Sequence, residues 1–421
     1  MTALVVGAAR SGVALARYLV RTGERVIVTD RRPAGELAQA LAQLPGEAEL
    51  RLGGYDDDVL SDAEVVYASP GVPWDSELLQ HARKRGIPVS SEIDLFLRLC
   101  PGTVVGITGT NGKTTTTALA GEVLSAGERP VIVGGNIGET VIDRLSEVTP
   151  RHWVVLELSS FQLESVERPR LQVGAILNIT PDHLDRHKTF EKYVDIKARA
   201  ITFAGADDFA VLNGHDHVVR GLASRTQAKV VWFDQHEPVP PMPVPGRHNL
   251  ENALAAAAIG RIAGLSDEKI NNAIASFKGV EHRLELVGEW DGVRWYNDSK
   301  ATNPDAGRVA LTSFPGTHLV LIAGGYGSGF ELADWIKDVH EHVAAVVLVG
   351  ASASLLESEL HGHPAVRRAE SLADAVDIAA DLSRSGGVVV LSPAYKSFDM
   401  FKDFEDRGRQ FKALVRQRFA A

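Results

Sequence analysis

A glycine-rich run, GITGTNGKTTTT at 106–117, joins the apolar segment VVGIT at 104–108 to a stretch with helical spacing. A strand that turns into a helix through glycines aims backbone N–H groups and the positive end of the helix dipole at one spot, which is a cradle for phosphate. Lys113 would neutralise the β and γ charges of a bound nucleotide, and Thr114 would offer its hydroxyl to magnesium. Gly109 and Gly112 would let the backbone approach the ligand without a Cβ clash. The run is shorter than the usual GxxxxGK, whose first glycine would fall on Ile107. These residues predict an enzyme that binds Mg-ATP and uses it to drive bond formation.

Other polar groups stand where such chemistry needs them. Glu157 closes the apolar strand WVVLE before LSSFQ, and a carboxylate at a strand's carboxyl end predicts a magnesium ligand. His183, in TPDHLDRH beside Asp182 and Asp185, fits a metal or a structural role. Lys197, in YVDIKARAITFA, reads on spacing alone as a solvated helix lysine. Asn249 and Asn252 in HNLENALAA suit a purine edge or a helix cap. YNDSKATNP at 296–304 gathers Asp298, Lys300 and Thr302 after a short strand, which suggests a site. GAARSG at 7–12 approaches a dinucleotide fingerprint, but Ala9 replaces the middle glycine; with Asp30 ending the next strand, NAD, a uridine nucleotide or a plain structural turn all fit.

Holding these groups requires layered α/β elements. ALVVG at 3–7, a helix at 10–21 and RVIVT at 25–29 form a βαβ unit, followed by VVYASPG at 65–71, a helix at 76–85, PVS at 88–90 and a helix at 92–99. Strands near 104–108, 130–133, 153–157 and 173–177 make a second α/β set, and HLVLIAGG, VAAVVLVG and GVVVLSPA a third. The proline-rich QHEPVPPMPVPGRHN at 235–249 reads as a surface loop. The expected organisation is α/β in three domains: a Rossmann-like domain at 1–92, a central P-loop ATPase-type domain at 93–279 and a Rossmann-like domain at 280–421. Composition agrees, since 45% hydrophobic and 23% charged residues in 421 mark a folded multidomain chain. Cys100 is the single cysteine, which excludes an intrachain disulfide and a thiolate zinc cluster. No leader pattern and no apolar run near the ~18 residues of a membrane helix occurs, so a cytoplasmic, membrane-free protein is expected. A net charge of −10 disfavours nucleic acid as a partner.

GTNGKT at 109–114, GGNIG at 134–138, ELSSFQL at 157–163, TPDHLDRH at 180–187, HNLEN at 248–252 and EHRLE at 281–285 together resemble the Mur ligase family of peptidoglycan synthesis. ELSSFQLE, NDSKATN at 297–303 and SPAYKSFDMFKDFEDRG at 392–408 are similar to its D-glutamate-adding branch. The resemblance implies a monomer whose N-terminal domain holds the UDP of UDP-N-acetylmuramoyl-L-alanine, whose middle domain holds ATP, and whose C-terminal domain closes with D-glutamate. It assigns ATP to Gly109, Thr110, Asn111, Gly112, Lys113, Thr114 and Thr115, adenine to Asn249 and Asn252, a phosphate to Arg283 and the ribose to Asp298. Two magnesium ions would be held by Thr114, Glu157, His183 and a carbamylated Lys197, with Asn136 near the substrate carboxylate and γ-phosphate. Ser69, Pro70 and Gly71 would grip UDP, and Asp30 and Arg31 would lie near uracil. Lys300, Thr302, Ser397 and Phe398 would line the D-glutamate pocket, with Phe404 behind it. Where the family usually carries Asp-Gly-Lys this chain has Tyr326-Gly327-Ser328, so either Lys396 supplies the missing cation or Lys396 is a solvated loop lysine and D-glutamate binds weakly. The rival readings are a family member adding another amino acid, a folylpolyglutamate synthetase, or a nicotinamide-dependent oxidoreductase; SPAYKSFDMF argues against the first two.

Overall fold

A computed structural model describes the chain except Asp56, Glu139, 234–238, Pro241, Pro243, Pro245, Arg247, Ser328, Ala421 and the side chains of Asp57 and His248. Most of the proline-rich stretch expected as a loop therefore lies outside the described residues.

Three sheets follow one another along the chain. The first is parallel, in the order β3-β2-β1-β4-β5, from β1 (Thr2–Val6), β2 (Arg25–Asp30), β3 (Glu49–Leu52), β4 (Val65–Ala68) and β5 (Val89–Ser90). The second is built from β6 (Thr103–Thr108), β7 (Val131–Gly135), β8 (Trp153–Glu157), β9 (Val173–Ile176), β10 (Phe209–Asn213) and β11 (Lys229–Phe233), in the order β11-β10-β9-β6-β8-β7. The third uses β12 (Glu285–Trp290), β13 (Val293–Asn297), β14 (Leu319–Ala323), β15 (Ala345–Leu348), β16 (Val366–Arg368) and β17 (Val388–Leu391), in the order β12-β13-β17-β14-β15-β16, with only the β12–β13 pair antiparallel. Near-continuous Val, Ile and Leu in β1, β6, β14 and β17 are what strands covered on both faces require. The expected α/β class is observed. Strands β3, β10, β11, β12 and β16 had no sequence forecast; four of them carry exposed or half-buried polar positions, while β10, FAVLN, is as apolar as the strands that were forecast.

In the second sheet the chain runs from β6 to the edge strand β7, returns to β8 beside β6, and then crosses to β9, β10 and β11 on the other side of β6. Such a reversal opens a crevice at the strands' carboxyl ends. The first sheet reverses in the same way between β1 and β4.

The chain forms two compact units, one of residues Met1–Val239 and Glu251–Ile274, the other of Pro240–Leu250 and Ala275–Ala421. Inside the first unit the two sheets share one apolar cluster, in which Ile93 and Phe96 belong to the same core as Ile142 and Leu163. Glu92, beside the expected domain boundary, is buried and accepts the Ile142 N–H at 3.2 Å. In the second unit alternate residues of the third sheet face two separate cores, one around Trp335 and one around Trp295, both tryptophans being fully buried.

Candidate active site

The loop that leaves β6 is fixed on both sides before any ligand arrives. Gly112 has φ +82, and a Cβ there would fall 2.4 Å from Asn252 Oδ1, so only glycine fits. Asn252 also accepts the Thr116 hydroxyl at 3.0 Å, which locks the helix Lys113–Ser125 to the helix His248–Ile262. On the other side Asn178, just past β9, accepts the Thr110 N–H at 2.9 Å with its carbonyl and the Asn111 N–H at 2.8 Å with its side chain. Asn178 was missed from sequence, although its place after an apolar strand was a usable signal. The Lys113 ammonium lies over the loop, 3.0 Å from Gly109 O and 2.7 Å from Thr110 O. Thr114 and Thr115 are buried at the helix start, and Asn249 is buried at the start of the helix His248–Ile262.

Glu157, at the end of β8, is 2% exposed. Its Oε1 accepts the Asn136 amide at 3.0 Å, whereas its buried Oε2 has no hydrogen-bond partner. Buried carboxylate oxygens are normally satisfied, so this one is suited to a ligand outside the chain. Lys197 overturns its solvated reading: it is 1% exposed and donates to Gly109 O at 2.7 Å. Burial, reinforced by the Lys113 ammonium, pushes its pKa well below the ordinary lysine value, while Asp182 and Glu157 pull weakly the other way. An ammonium would repel a divalent cation at this spot, but an amine converted to a carbamate would present hard oxygens, a donor type that together with the unpaired Glu157 Oε2 fits magnesium. His183 is about half exposed at φ 51, with Nε2 3.5 Å from Asp182 and its ring 5.0 Å from Phe161. Among the described residues a second carboxylate–imidazole group, Glu281, His282 and Glu285, has ligand spacing. There Lys412 already sits 2.7 and 2.8 Å from the two carboxylates, so the group is an internally balanced network.

At the reversal of the first sheet lies a cleft of about 510 Å³ lined by Asp30, Arg31, Ser69, Pro70, Gly71 and Asn136 among others. The structure thus gathers these expected substrate residues, with one qualification of role. Asp30 is engaged by Arg32 at 2.8 and 3.0 Å and by the Ala8 N–H at 2.8 Å, so its oxygens are committed to the protein. Burial opposes its ionisation, but these bonds outweigh burial and hold its pKa at about 2. Arg31 lies over the Tyr55 ring at 5.0 Å. A Cβ at Gly12 would fall 1.9 Å from Gly7 O, so the last glycine of GAARSG serves close helix–strand packing.

The second unit assembles the remaining candidates around the ends of β13, β14 and β17. Asp298 accepts the Leu284 N–H at 3.2 Å and the Ser392 hydroxyl at 2.8 Å, pinning the turn that carries Arg283. Burial lifts its pKa to about 7 in spite of both bonds. Lys300 and Thr302 are half-buried, Ser397 is buried and Phe398 is 65% exposed. Phe404 opens the last helix, Phe404–Arg418, with its ring edge-on to His282 at 6.0 Å. Arg407, which spacing did not single out, is 3% exposed and binds Ser299 Oγ and Ser299 O at 2.9 Å and Tyr395 O at 3.1 Å, joining the 298–302 and 392–398 loops. Tyr326 and Lys396 form an antiparallel bridge, so their side chains leave one face together, and the Lys396 side chain is exposed. Ser328 lies outside the described residues.

Comparison with known proteins agrees with this architecture. The Mur ligase MurD-like N-terminal domain family matches residues 1–91, the Mur ligase middle domain family 107–239 and the Mur ligase glutamate ligase domain family 282–395. The UDP-N-acetylmuramoylalanine--D-glutamate ligase of Koribacter versatilis is 42% identical over 98% of this chain and 97% of its own. Of the solved structures, MurC of Thermotoga maritima superposes with a TM-score of 0.61 at 20% identity, covering 99% of this chain and 100% of that one. The MurF ligase of Thermotoga maritima in complex with ADP does so with a TM-score of 0.57 at 18% identity, covering 86% and 91%. These two likenesses speak for the fold, and the sequence identity along almost the whole length speaks for descent: the chain belongs to the Mur ligase family.

Proposed function

We propose that this chain is the ATP-dependent ligase that joins D-glutamate to the alanyl carboxyl group of UDP-N-acetylmuramoyl-L-alanine, a step of peptidoglycan precursor synthesis. The observation that carries the reading is the meeting, at the reversal beside β6, of Lys113, a buried Glu157 with one unpaired oxygen, and a buried Lys197 whose pKa burial pushes well below the ordinary lysine value. The relatives that share about 40% identity along the full chain bear the name of this reaction.

In the proposed cycle the substrate carboxylate attacks the γ-phosphorus of ATP; a carboxyl C–O–P linkage forms, the bond to the β-phosphate oxygen breaks and ADP is released. The amine of D-glutamate, after losing a proton from its ammonium form, adds to the acyl carbon, and the tetrahedral adduct expels phosphate to leave the amide. Gly109 to Thr115 cradle the phosphates, and Lys113 offsets the charge that develops on the transferring group. Glu157, Thr114, His183 and the carbamate of Lys197 would hold magnesium, which supplies neutralisation of the β and γ oxygens. The carbamate arises when the neutral Lys197 amine adds to carbon dioxide and loses a proton. Ser69, Pro70, Gly71 and Arg31 grip the uridine diphosphate, with Asp30 pinning the loop that does so. Asn136 orients Glu157 and meets the substrate carboxyl group; Asn249 and Asn252 border adenine, Arg283 a phosphate and Asp298 the ribose. Lys300, Thr302, Ser397, Phe398 and Lys396 receive D-glutamate, backed by Phe404.

No helix among the described residues is long and apolar enough to cross a membrane, and we place the enzyme in the cytoplasm as a monomer. Phosphate release from ATP with UDP-N-acetylmuramoyl-L-alanine and a panel of amino acids tests the assignment. Release with D-glutamate alone is expected, and preference for another amino acid would move the chain to a different branch of the family.

A further inference from the structure

Arg186 follows His183 in the short helix Leu184–His187, and its side chain is 12% exposed against a Glu164 side chain that is 10% exposed. Its Nε and Nη2 both reach Glu164 Oε2, at 3.1 and 3.0 Å, and Nη2 also donates to Val72 O at 3.0 Å. The guanidinium stacks over Phe161 at 4.9 Å, and the same ring lies 5.0 Å from His183. Val72 closes a turn on Ser69, its N–H donating to Ser69 O at 2.9 Å, and that turn lines the sugar-nucleotide cleft. One planar cation therefore touches a loop of the first sheet, the helix after β8 and the turn that bears His183.

Stability alone does not account for this choice. A nearly buried ion pair is often matched or bettered by apolar residues of the same volume. The two sheets are joined elsewhere by Ser165 to Ser91 and by Glu92 to Ile142, bonds made between helices and the segments beside them. The Arg186 link is different because it ends on a carbonyl of the cleft-lining loop. A guanidinium fork also fixes direction as well as distance, which a lysine ammonium does not.

We propose that Arg186 is a positioning residue that keeps the loop at 69–72 in register with the His183 turn, so that the acyl end of the sugar nucleotide is delivered to the phosphoryl-transfer site. The proposal rests on the function assigned above. Titrations of UDP-N-acetylmuramoyl-L-alanine and of Mg-ADP into the full-length protein, with steady-state kinetics, test it. Arg186→Met is expected to weaken sugar-nucleotide binding and lower kcat by about tenfold each while leaving Mg-ADP binding unchanged, because a small misplacement of reacting groups is amplified in rate. Arg186→Lys, which keeps the charge and loses the fork, should fall between; it carries the test if Arg186→Met does not fold. Unchanged sugar-nucleotide affinity and kcat in both variants would overturn the proposal, as would equal losses for both ligands that follow a drop in Tm. A wild-type chain that binds the sugar nucleotide without turning over D-glutamate would refute the functional reading instead, and the titrations would still decide the role of Arg186.

Discussion

Lys197 lies where a positive charge is least welcome, buried beside the Lys113 ammonium, and both burial and that neighbour push its pKa well below the ordinary lysine value, favouring the uncharged, nucleophilic amine. If its task is to carry two carboxylate oxygens, Lys197→Ala removes those oxygens and leaves room for a small anion. The variant should be nearly inactive and should regain part of its rate as formate or acetate is added; undiminished activity without any additive would end the carbamate reading. The sequence held this information in a form that is easy to misread. On the helix Phe190–Thr202 the buried positions Tyr193, Ile196, Lys197, Ala200 and Ile201 recur at helical spacing, so Lys197 stands within the apolar stripe. Arg407 and Arg186 gave no such sign, since both are charged residues in polar segments and only the folded chain shows what they bind.

At the scale of elements, the phosphate loop and its flanking strand and helix were legible because glycine spacing and apolar runs are local signals. The staples that hold the loop, Asn178 and Asn252, come from segments 67 or more residues away and are set by strand order. The junction between the first two sheets was equally hidden: Glu92 begins a helix, Glu92–Leu99, and a glutamate in a first helical turn is usually solvated. Here burial above all lifts its pKa to about 7; the Ile142 N–H offsets this only in part, and Asp143 adds to it. A carboxyl group whose pKa is higher in the folded than in the unfolded chain gives stability that is full below the unfolded value and lost as pH rises through the folded one. Glu92→Gln keeps the acceptor for Ile142 and cannot ionise. Its Tm should match the parent near pH 4 and exceed it by a margin that widens up to about pH 7, measured by calorimetry across that range; a margin independent of pH would remove Glu92 from the titration.

At the scale of the whole molecule, the division into two compact units has consequences for melting. The first two sheets share one core and should unfold together, while residues 275–421 have cores of their own. If the loop at 109–115 supplies most of the binding energy for Mg-ADP, and the contacts proposed for Asn249, Arg283 and Asp298 add little, the ligand stabilises chiefly the unit that holds that loop, by about 2.7 kcal/mol at a ligand concentration 100 times Kd. Scanning calorimetry should therefore show two transitions of which Mg-ADP raises chiefly the one belonging to residues 1–239 and 251–274. A single transition that moves as a whole would show the units to be energetically one body.

The placement of the tryptophans turns this into an optical distinction. Trp295 and Trp335, at 0% and 1% exposure, both lie in the second unit, whereas in the first Trp232 is 42% exposed, Trp74 is half-buried and only Trp153 is enclosed. An indole sealed from water emits toward the blue and shifts to the red when its core opens, so the colour change on heating is weighted toward the second unit. A melt followed by emission maximum should thus move little when Mg-ADP is added, even as the calorimetric transition of the first unit climbs.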